Sequence, residues 1–287
     1  MIYVTGDTHA NIDIEKLNTT KFPQQKNLTK DDYLIICGDF GLCWDGSRRE
    51  MWWQDWLTAK NFTTLWIDGN HENFDMLYQF PLEDRFGGKV RQIAPDIYHL
   101  DRGQVLTIDG RKIFCMGGAR SVDKAYRTEH ISWWQQEMPS NEEMERAVCA
   151  LEQNNWTVDY VVTHCAPRSI QTMLASWYEN DPMVSFLERI RQDLHFKRWY
   201  FGHYHVDKQL NDQFVALYNR VIPIQICRCG GIGRRYKLQT GCRPLKWRRP
   251  MRCKVMRGAN PRHLRHRHGI AVERTNVSPE LCRCADT

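Results

Sequence analysis

The sequence lacks any apolar run long enough to cross a lipid bilayer, so it gives no support for a membrane-spanning protein. It also shows no secretory leader, because an apolar stretch typical of a buried strand begins directly after Met1. The eleven cysteines are odd in number and irregularly spaced, which disfavours a disulfide framework. We therefore expect a cytoplasmic protein with reduced thiols and no membrane partner.

Internal repeats are absent too, and regular apolar patterning stops near Ile226. Residues 228–287 contain 16 Lys and Arg against 3 Asp and Glu, a net charge of +13. Because the whole chain has a net charge of +6, residues 1–227 have a net charge of −7. Such asymmetry indicates segments of different character. We predict a folded domain over residues 1–226 and a basic tail, rich in Cys and Arg, over residues 227–287.

The basic tail admits several interpretations. Its Cys-x-Cys pairs and histidines suggest zinc, although the chain has no Cys-x2-Cys pair. Its basic run at residues 243–267 suggests nucleic-acid binding, and this run is the main sequence signal for such a partner. Low apolar content and high net charge favour disorder, and a frameshifted or read-through end would also explain the abrupt change. Disorder or an artefact is the interpretation that we favour.

The rest of the chain alternates short apolar runs with helical patterns, which is typical of an α/β fold with a largely parallel sheet core. Asp109–Gly110 lies between apolar runs and indicates a hairpin. Ser140 and Glu143 form a predicted capping box. The predicted helices cover about residues 49–61, 74–78 and 140–154 and a stretch from 182, and in the first of them Met51, Trp52, Trp56 and Ala59 have helical spacing. The predicted strands cover residues 2–4, 33–36, 63–67, 90–93, 97–100, 105–108, 113–116, 158–163, 199–201, 214–218 and 221–226.

Five of the apolar runs end in polar residues that are common metal ligands. In open α/β sheets, ligands bind where the carboxyl ends of the strands meet. One such residue would be an ordinary polar strand end, but eight of them on five strands indicate a site. Carboxylate, imidazole and amide groups together suit manganese, iron or zinc. The eight residues are Asp7, His9, Asp39, Asn70, His71, His164, His203 and His205.

These blocks, in this order, resemble the calcineurin-like metallophosphoesterase family over about residues 1–226, and the stretch from Gly117 to Trp134 resembles a bacterial and phage subgroup of it. The resemblance implies an α/β fold with two facing mixed β-sheets flanked by helices, a four-layer sandwich. It also implies seven metal ligands in two sets that share one member: Asp7, His9 and His205 for the first ion, Asn70, His164 and His203 for the second, and Asp39 for both.

Two divalent metal ions are thus the expected cofactors, with manganese as the first choice and iron or zinc as alternatives. A carboxylate shared by two cations can hold them about 3.5–4 Å apart, the spacing that clamps an in-line displacement at phosphorus. Such a pair also lowers the pKa of a bridging water, which supplies a hydroxide nucleophile near neutral pH. Glycines precede the ligands at Gly6, Gly38, Gly69 and Gly202, where we expect sharp turns.

Four residues are predicted to contact the substrate: Asn70, His71, Arg120 and Arg127. The resemblance makes His71 the acid that protonates the leaving oxygen, a task that suits an imidazole. The alternative is that His71 only supports a neighbouring ligand. The two arginines follow a predicted strand, and their forked donors would hold a phosphate. The alternative for them is a solvated surface loop.

The predicted function is therefore hydrolysis of a phosphate mono- or diester, with a small phosphoester as the partner. A nuclease or a cyclic-nucleotide phosphodiesterase is the alternative within the class, and a catalytically silent metal-binding module is the alternative outside it. Residues 38–42 lack the arginine that the protein phosphatases of the family carry after their second block, which disfavours phosphoproteins as substrates. No feature of the sequence specifies an oligomeric state.

Overall fold

The computed structural model describes residues 1–224. The predictions for the basic tail, including a zinc site or a nucleic-acid site there, lie outside the described residues. Within residues 1–224, no helix combines the length and the apolar character of a membrane span. The five cysteines of this part of the chain are not in disulfides.

The described residues form strands and helices that alternate over most of their length. The strands are β1 Ile2–Thr5, β2 Tyr33–Ile36, β3 Thr63–Trp66, β4 Glu83–Arg85, β5 Gly88–Ala94, β6 Ile97–Leu100, β7 Gln104–Ile108, β8 Arg111–Met116, β9 Tyr160–Thr163, β10 Arg198–Phe201, β11 Lys208–Gln209, β12 Phe214–Ala216 and β13 Ile222–Pro223. The helices are α1 Arg48–Thr58, α2 Phe74–Leu77, α3 Asn141–Gln153, α4 Arg168–Leu174 and α5 Pro182–Asp193. Four short 3₁₀ helices complete them: Ile14–Leu17, Pro23–Asn27, Lys124–Tyr126 and Gln135–Glu137.

The strands form two mixed sheets. The first has the order β13-β1-β2-β3-β6-β5-β4, and the second has the order β11-β12-β10-β9-β8-β7. The central strands β1, β2, β3 and β6 are parallel, as are β8, β9, β10 and β12 in the second sheet. The carboxyl ends of each parallel set therefore lie at one edge of their sheet.

Three apolar layers show that the two sheets pack face to face. In β2, Ile35 belongs to the layer between the sheets, together with Tyr200 of β10. Its neighbours Leu34 and Ile36 belong to the layer under the helices of the first sheet. This division follows from the two-residue period of a strand, which sends successive side chains to opposite faces. A third layer, which contains Phe201, packs the second sheet against α3 and α5.

The predicted fold class, two facing mixed sheets flanked by helices, is confirmed. The capping box at Ser140 and Glu143 is also present. Two strands and one α-helix were not predicted: β4, whose three residues are all exposed and charged, β11, whose two residues are exposed, and α4, which follows Pro167 without a capping side chain.

The buried face of α1 is not the face that the spacing of its apolar residues predicted. Met51 and Trp52 are 49% and 56% exposed, whereas Glu50 and Leu57 are buried. Glu50 is buried because its carboxylate accepts hydrogen bonds from the backbone N–H groups of Trp44 and Asp45. A carboxylate that caps the preceding loop thus replaces an apolar residue on this face of the helix.

A buried ionic cluster joins the two sheets below the carboxyl end of β3. Asp68 accepts hydrogen bonds from Nε of Arg102 at 2.7 Å and from Nη2 of Arg102 at 2.5 Å, and Nε2 of His99 lies 2.9 Å away. Arg102, which is 2% exposed, also contacts Glu143 of α3. The backbone oxygen of Asp68 accepts from the N–H of Gly118, which follows β8. The cluster therefore links the end of β3 to the second sheet and its helix.

We predict that Arg102→Leu lowers the free energy of unfolding by about 3–5 kcal/mol, because it leaves the Asp68 carboxylate buried without its cation. Urea titration followed by circular dichroism measures this change. Arg111→Leu is the matched control, since Arg111 pairs with Asp109 on a solvent-exposed hairpin. The control substitution should lower the free energy of unfolding by less than about 1 kcal/mol. Equal losses for both variants would contradict a special role for the buried cluster.

Candidate metal centre

The five polar stretches predicted from the sequence meet where the two sheets face each other. Asp7 and His9 follow β1, Asp39 follows β2, and Asn70 follows β3, all in the first sheet. The remaining three histidines come from the second sheet: His164 follows β9, and His203 and His205 follow β10. The site is therefore assembled from both halves of the sandwich.

The first group of side chains consists of Asp7, His9, Asp39 and His205. Each offers one ligand atom, and these atoms lie within 4.8 Å of one another. Nε2 of His205 is 3.2 Å from Oδ2 of Asp7, and Nε2 of His9 is 3.4 Å from Oδ2 of Asp39. Two carboxylates and two imidazoles form a donor set that suits a mid-sized divalent metal ion.

The second group consists of Asn70, His164 and His203. Nε2 of His164 lies 3.1 Å from Oδ1 of Asn70, and the rings of His164 and His203 are 4.9 Å apart. Nδ1 of His164 lies 2.8 Å from the backbone oxygen of Cys37. A hydrogen bond to this oxygen fixes the ring so that Nε2 faces the group, which is how histidines are commonly oriented toward metals.

Asp39 lies between the two groups. Its Oδ2 is 3.4 Å from His9 of the first group, and its Oδ1 is 3.4 Å from Nε2 of His164 in the second. The residue is 1% exposed and has a left-handed backbone, with φ of 44°. Its two carboxylate oxygens therefore face two different donor sets.

Backbone conformation and free space both shape these loops. His9, His203 and His205 also have positive φ, a region that is uncommon for residues other than glycine and is enriched at functional sites. We expected the glycines that precede the ligands to permit sharp turns. At Gly69 and Gly202, glycine is required for a different reason, which is lack of space for a side chain. A Cβ atom at Gly69 would lie 2.0 Å from Oδ1 of Asp39, and one at Gly202 would lie 2.0 Å from Oδ1 of Asp7. These two glycines therefore leave room for the carboxylates.

Burial and the charges of Asp7 and Asp39 together set the electrostatics of the site. Burial alone would lower the pKa of His164, but the charges of Asp39 and Asp7 and the hydrogen bonds to Asp39 and Cys37 together raise the pKa to about 10. Burial would also lower the pKa of His9, but the hydrogen bond between His9 and Asp39 helps to raise this pKa to about 9. Burial and the neighbouring His164 lower the pKa of His203 to about 4. Metal binding requires neutral imidazoles, so a metal ion would displace protons from His9 and His164.

His71 lies at the entrance of the site beside Arg127. Nη2 of Arg127 is 2.9 Å from Nε2 of His71, and Nε of Arg127 pairs with Asp123 at 2.9 Å. Burial lowers the pKa of His71, Asp39 opposes that effect, and the cation of Arg127 adds to it. Arg120 is placed differently: half exposed, it pairs with Glu179 at 2.9 Å. The structure thus brings Arg127 to His71 and holds Arg120 in a surface ion pair.

Several supporting residues were not identified from the sequence. Oδ2 of Asp13 lies 2.8 Å from Nδ1 of His9, and the hydroxyl of Ser121 accepts a hydrogen bond from the amide of Asn70. Ser121 in turn donates to Glu137 at 2.6 Å. No motif marks these residues, because Asp13 is four residues from His9, and Ser121 is 51 residues from Asn70 and 16 from Glu137.

Glu72 is a fourth supporting residue, although it belongs to a block that the sequence analysis singled out. Its carboxylate accepts hydrogen bonds from the backbone N–H groups of Phe40 and Gly41, at 2.8 Å and 3.3 Å. Burial, reinforced by the charge of Asp39, raises the pKa of Glu72 to about 8. Glu72 therefore connects the loop after β3 to the loop that carries Asp39.

Lys16 supports the loop after β1 from below. Its buried ammonium group donates hydrogen bonds to the backbone oxygens of Gly6, Asp7 and Tyr218. Tyr218 also stacks on His205, with ring centroids 4.7 Å apart and planes 16° apart. Lys16 thus ties the loop that carries Asp7 to the segment that packs on His205.

The geometry defines the protein class: an α/β sandwich with a buried carboxylate and imidazole centre fit for divalent metal ions. Comparison with known proteins agrees. The model of the calcineurin-like phosphoesterase family matches residues 1–207, and the chain belongs to that family. The family that the sequence blocks predicted is thus confirmed.

A similar curated protein is lariat debranching enzyme A of Xenopus laevis. It is 28% identical over 193 residues, an alignment that covers 59% of this chain and 33% of the relative. The chain thus spans about a third of that relative's length.

We predict that Asp39→Asn lowers metal affinity in both groups, because it removes the negative charge and replaces one of the two oxygens that face them with an NH₂ group. Metal analysis of the purified variant after manganese loading should show less metal per chain than the wild type. Asp109→Asn is the matched control, since Asp109 is exposed and has a similar φ of 48°. Wild-type metal content in the Asp39→Asn variant would contradict a shared role for this carboxylate.

Proposed function

We propose that the protein hydrolyses a phosphate mono- or diester with two divalent metal ions. Asp7, His9 and His205 would hold one ion, and Asn70, His164 and His203 would hold the other. Asp39 would contribute to both. The position of Asp39 carries this proposal, because its two oxygens lie 3.4 Å from His9 of one group and 3.4 Å from His164 of the other.

When bound, the two ions supply an activated water and neutralise charge that grows on the phosphoryl oxygens. The chain's own residues handle the substrate. His71 donates a proton to the leaving oxygen, and Arg127 orients His71 and offers donors to the phosphoryl group. Asn70, which belongs to the group with His164 and His203, would also contact the substrate. Arg120 would reach the phosphate only after its ion pair with Glu179 breaks. Manganese is the metal that we propose, in a cytoplasmic protein.

A nuclease is the second candidate, and one observation favours it. The relative from Xenopus laevis is named for debranching lariats, and its similarity covers 59% of this chain. A cyclic-nucleotide phosphodiesterase and a silent metal-binding module are the third and fourth candidates. All seven predicted ligand positions and His71 are present, which argues against loss of catalysis.

Turnover of a nitrophenyl phosphate monoester and diester, with and without manganese, tests the proposed function. The proposal expects metal-dependent release of nitrophenol, and a panel of mono-, di- and cyclic phosphoesters then ranks the candidates. Metal-loaded protein that hydrolyses none of these esters would support the silent module.

We predict that His71→Ala keeps its metal content but loses on the order of 10²–10⁴-fold in rate on alkyl phosphates. An alkoxide is a poor leaving group and needs the proton, whereas nitrophenolate leaves without one. The loss on nitrophenyl esters should therefore be distinctly smaller. For alkyl esters, the wild-type rate should fall as the pH rises through the lowered pKa of His71, because only the protonated imidazole is an acid.

His130→Ala is the control for this experiment, since His130 is exposed and pairs with Asp75 outside the site. Its rates on both ester types should match the wild type. Equal losses on both types in His71→Ala, at full metal content, would mean that His71 positions the substrate or the metals and is not the acid.

We also propose that residues 1–226 are the catalytic domain and that the basic tail takes no part in the chemistry. Deletion of residues 230–287 should then leave hydrolysis of small esters nearly unchanged, because every predicted site residue precedes the deletion. Any salt-sensitive nucleic-acid binding through the tail should disappear. Steady-state rates and filter binding at two salt concentrations measure these effects. A large loss of activity in a folded variant would assign the tail to the active site.

A further inference from the structure

A cleft of about 280 Å³ opens directly from the candidate metal centre. His9 and His71 belong to its lining, together with the loop around Trp44 and the first turns of α1. A second cleft beside His203, on the side of Arg120, has a volume of about 40 Å³. Of these two clefts, only the larger one has room for a ring, and it is the one that His71 lines.

Two tryptophans line the larger cleft. Trp44 and Trp53 are half-buried, and each packs edge-to-face on another ring: Trp44 on Trp134 at 5.3 Å, and Trp53 on Trp56 at 5.3 Å. These contacts hold the two indoles in place before any ligand binds. Indole rings are favourable stacking partners for flat aromatic groups.

The backbone around Trp44 is fixed as well. Its N–H and the N–H of Asp45 donate to Oε2 of Glu50 at 2.9 Å and 2.8 Å. The amide of Asn73 donates to the carbonyl of Trp44 at 2.6 Å. The cleft wall is thus held by Glu50 of α1 and by Asn73, which lies in the segment after β3 that also carries His71. Such preorganisation reduces the entropy lost on binding.

Polar side chains complete the lining of the cleft. Asn11, Asp45, Ser47 and Arg49 all contribute to it. They offer both donors and acceptors, which suits a flat ring with a polar edge. A nucleobase has this combination, whereas a sugar has no aromatic face and a plain aryl group has no polar edge.

We propose that the cleft lined by Trp44 and Trp53 binds the nucleobase of a substrate whose leaving group is a nucleoside. This assignment rests on the proposed function, because the proposed role of His71 as the acid places the leaving oxygen beside that residue. The base lies in the cleft, the ribose spans the distance to His71, and the phosphoryl group lies at the metal centre. The substrate class is thereby narrowed to nucleotides or nucleic-acid ends.

Binding of two matched analogues to the manganese-loaded protein tests this inference without turnover. The analogues are the phosphonates of adenosine 5′-phosphate and of ribose 5-phosphate, in which a methylene group replaces the ester oxygen. They differ only in the base. Calorimetry should show that the base raises affinity by on the order of 10- to 100-fold, the range expected for stacking of a base on an aromatic side chain.

Variants test whether the higher affinity for the adenosine analogue comes from the cleft. Trp53→Ala should reduce the ratio of the two affinities to near one, Trp53→Phe should retain most of it, and Trp177→Ala should leave it unchanged. Trp177 is the control because it is 78% exposed and does not line the cleft. Melting temperature and metal content of each variant show that it is folded and loaded.

Three results would overturn the assignment: equal affinity of the two analogues for the wild type, a retained preference in Trp53→Ala, or equal affinity for benzylphosphonate and the adenosine analogue. The last result would define a general aryl pocket. Failure of the proposed function is distinct, because it appears as absence of phosphoester hydrolysis even where the base preference is present.

Discussion

The carboxylate of Asp39 is the group on which the site depends. Besides facing both sets of imidazoles, its Oδ1 accepts a hydrogen bond from the N–H of His71 at 2.8 Å. Its backbone oxygen accepts from the N–H groups of Thr8 and His9. The loops after β1, β2 and β3 are thus connected through one residue. Burial opposes the ionised form of Asp39, but the charge of His164 and the hydrogen bonds to His164 and His9 together hold its pKa well below the usual range.

Asp39 holds this position because the surrounding loops leave it room and support it. Gly69 passes so close that any side chain there would overlap the carboxylate. Glu72 fixes the backbone after Asp39, and Asp68 anchors the other end of the same short segment to Arg102. In residues 68–72, the buried carboxylates of Asp68 and Glu72 therefore hold the two ends of the segment. Asn70 and His71 lie between them and face the site.

The resemblance of the sequence blocks to a known family predicted the two-sheet fold. The position of each candidate ligand directly after an apolar run predicted that these side chains would lie close together. The partners of those side chains could not be predicted. Arg102 meets Asp68 across 34 residues, and Glu137 reaches Asn70 only through Ser121. The burial of Glu50 and the exposure of Trp52 reverse the apolar pattern of α1, because a loop of the tertiary structure needs a carboxylate there. Such pairings depend on topology rather than on local propensity.

Each candidate metal group draws residues from both sheets: His205 comes from the second sheet and joins three residues of the first, while Asn70 comes from the first and joins two residues of the second. A ligand of either group therefore binds only when the sheets are docked. By mass action it would stabilise the docked sandwich by RT ln(1 + [L]/Kd), about 2.7 kcal/mol at 100-fold excess over Kd. A shortage of metal in the cell would then raise the unfolded fraction of the protein, and unfolded chains are the ones that proteases degrade.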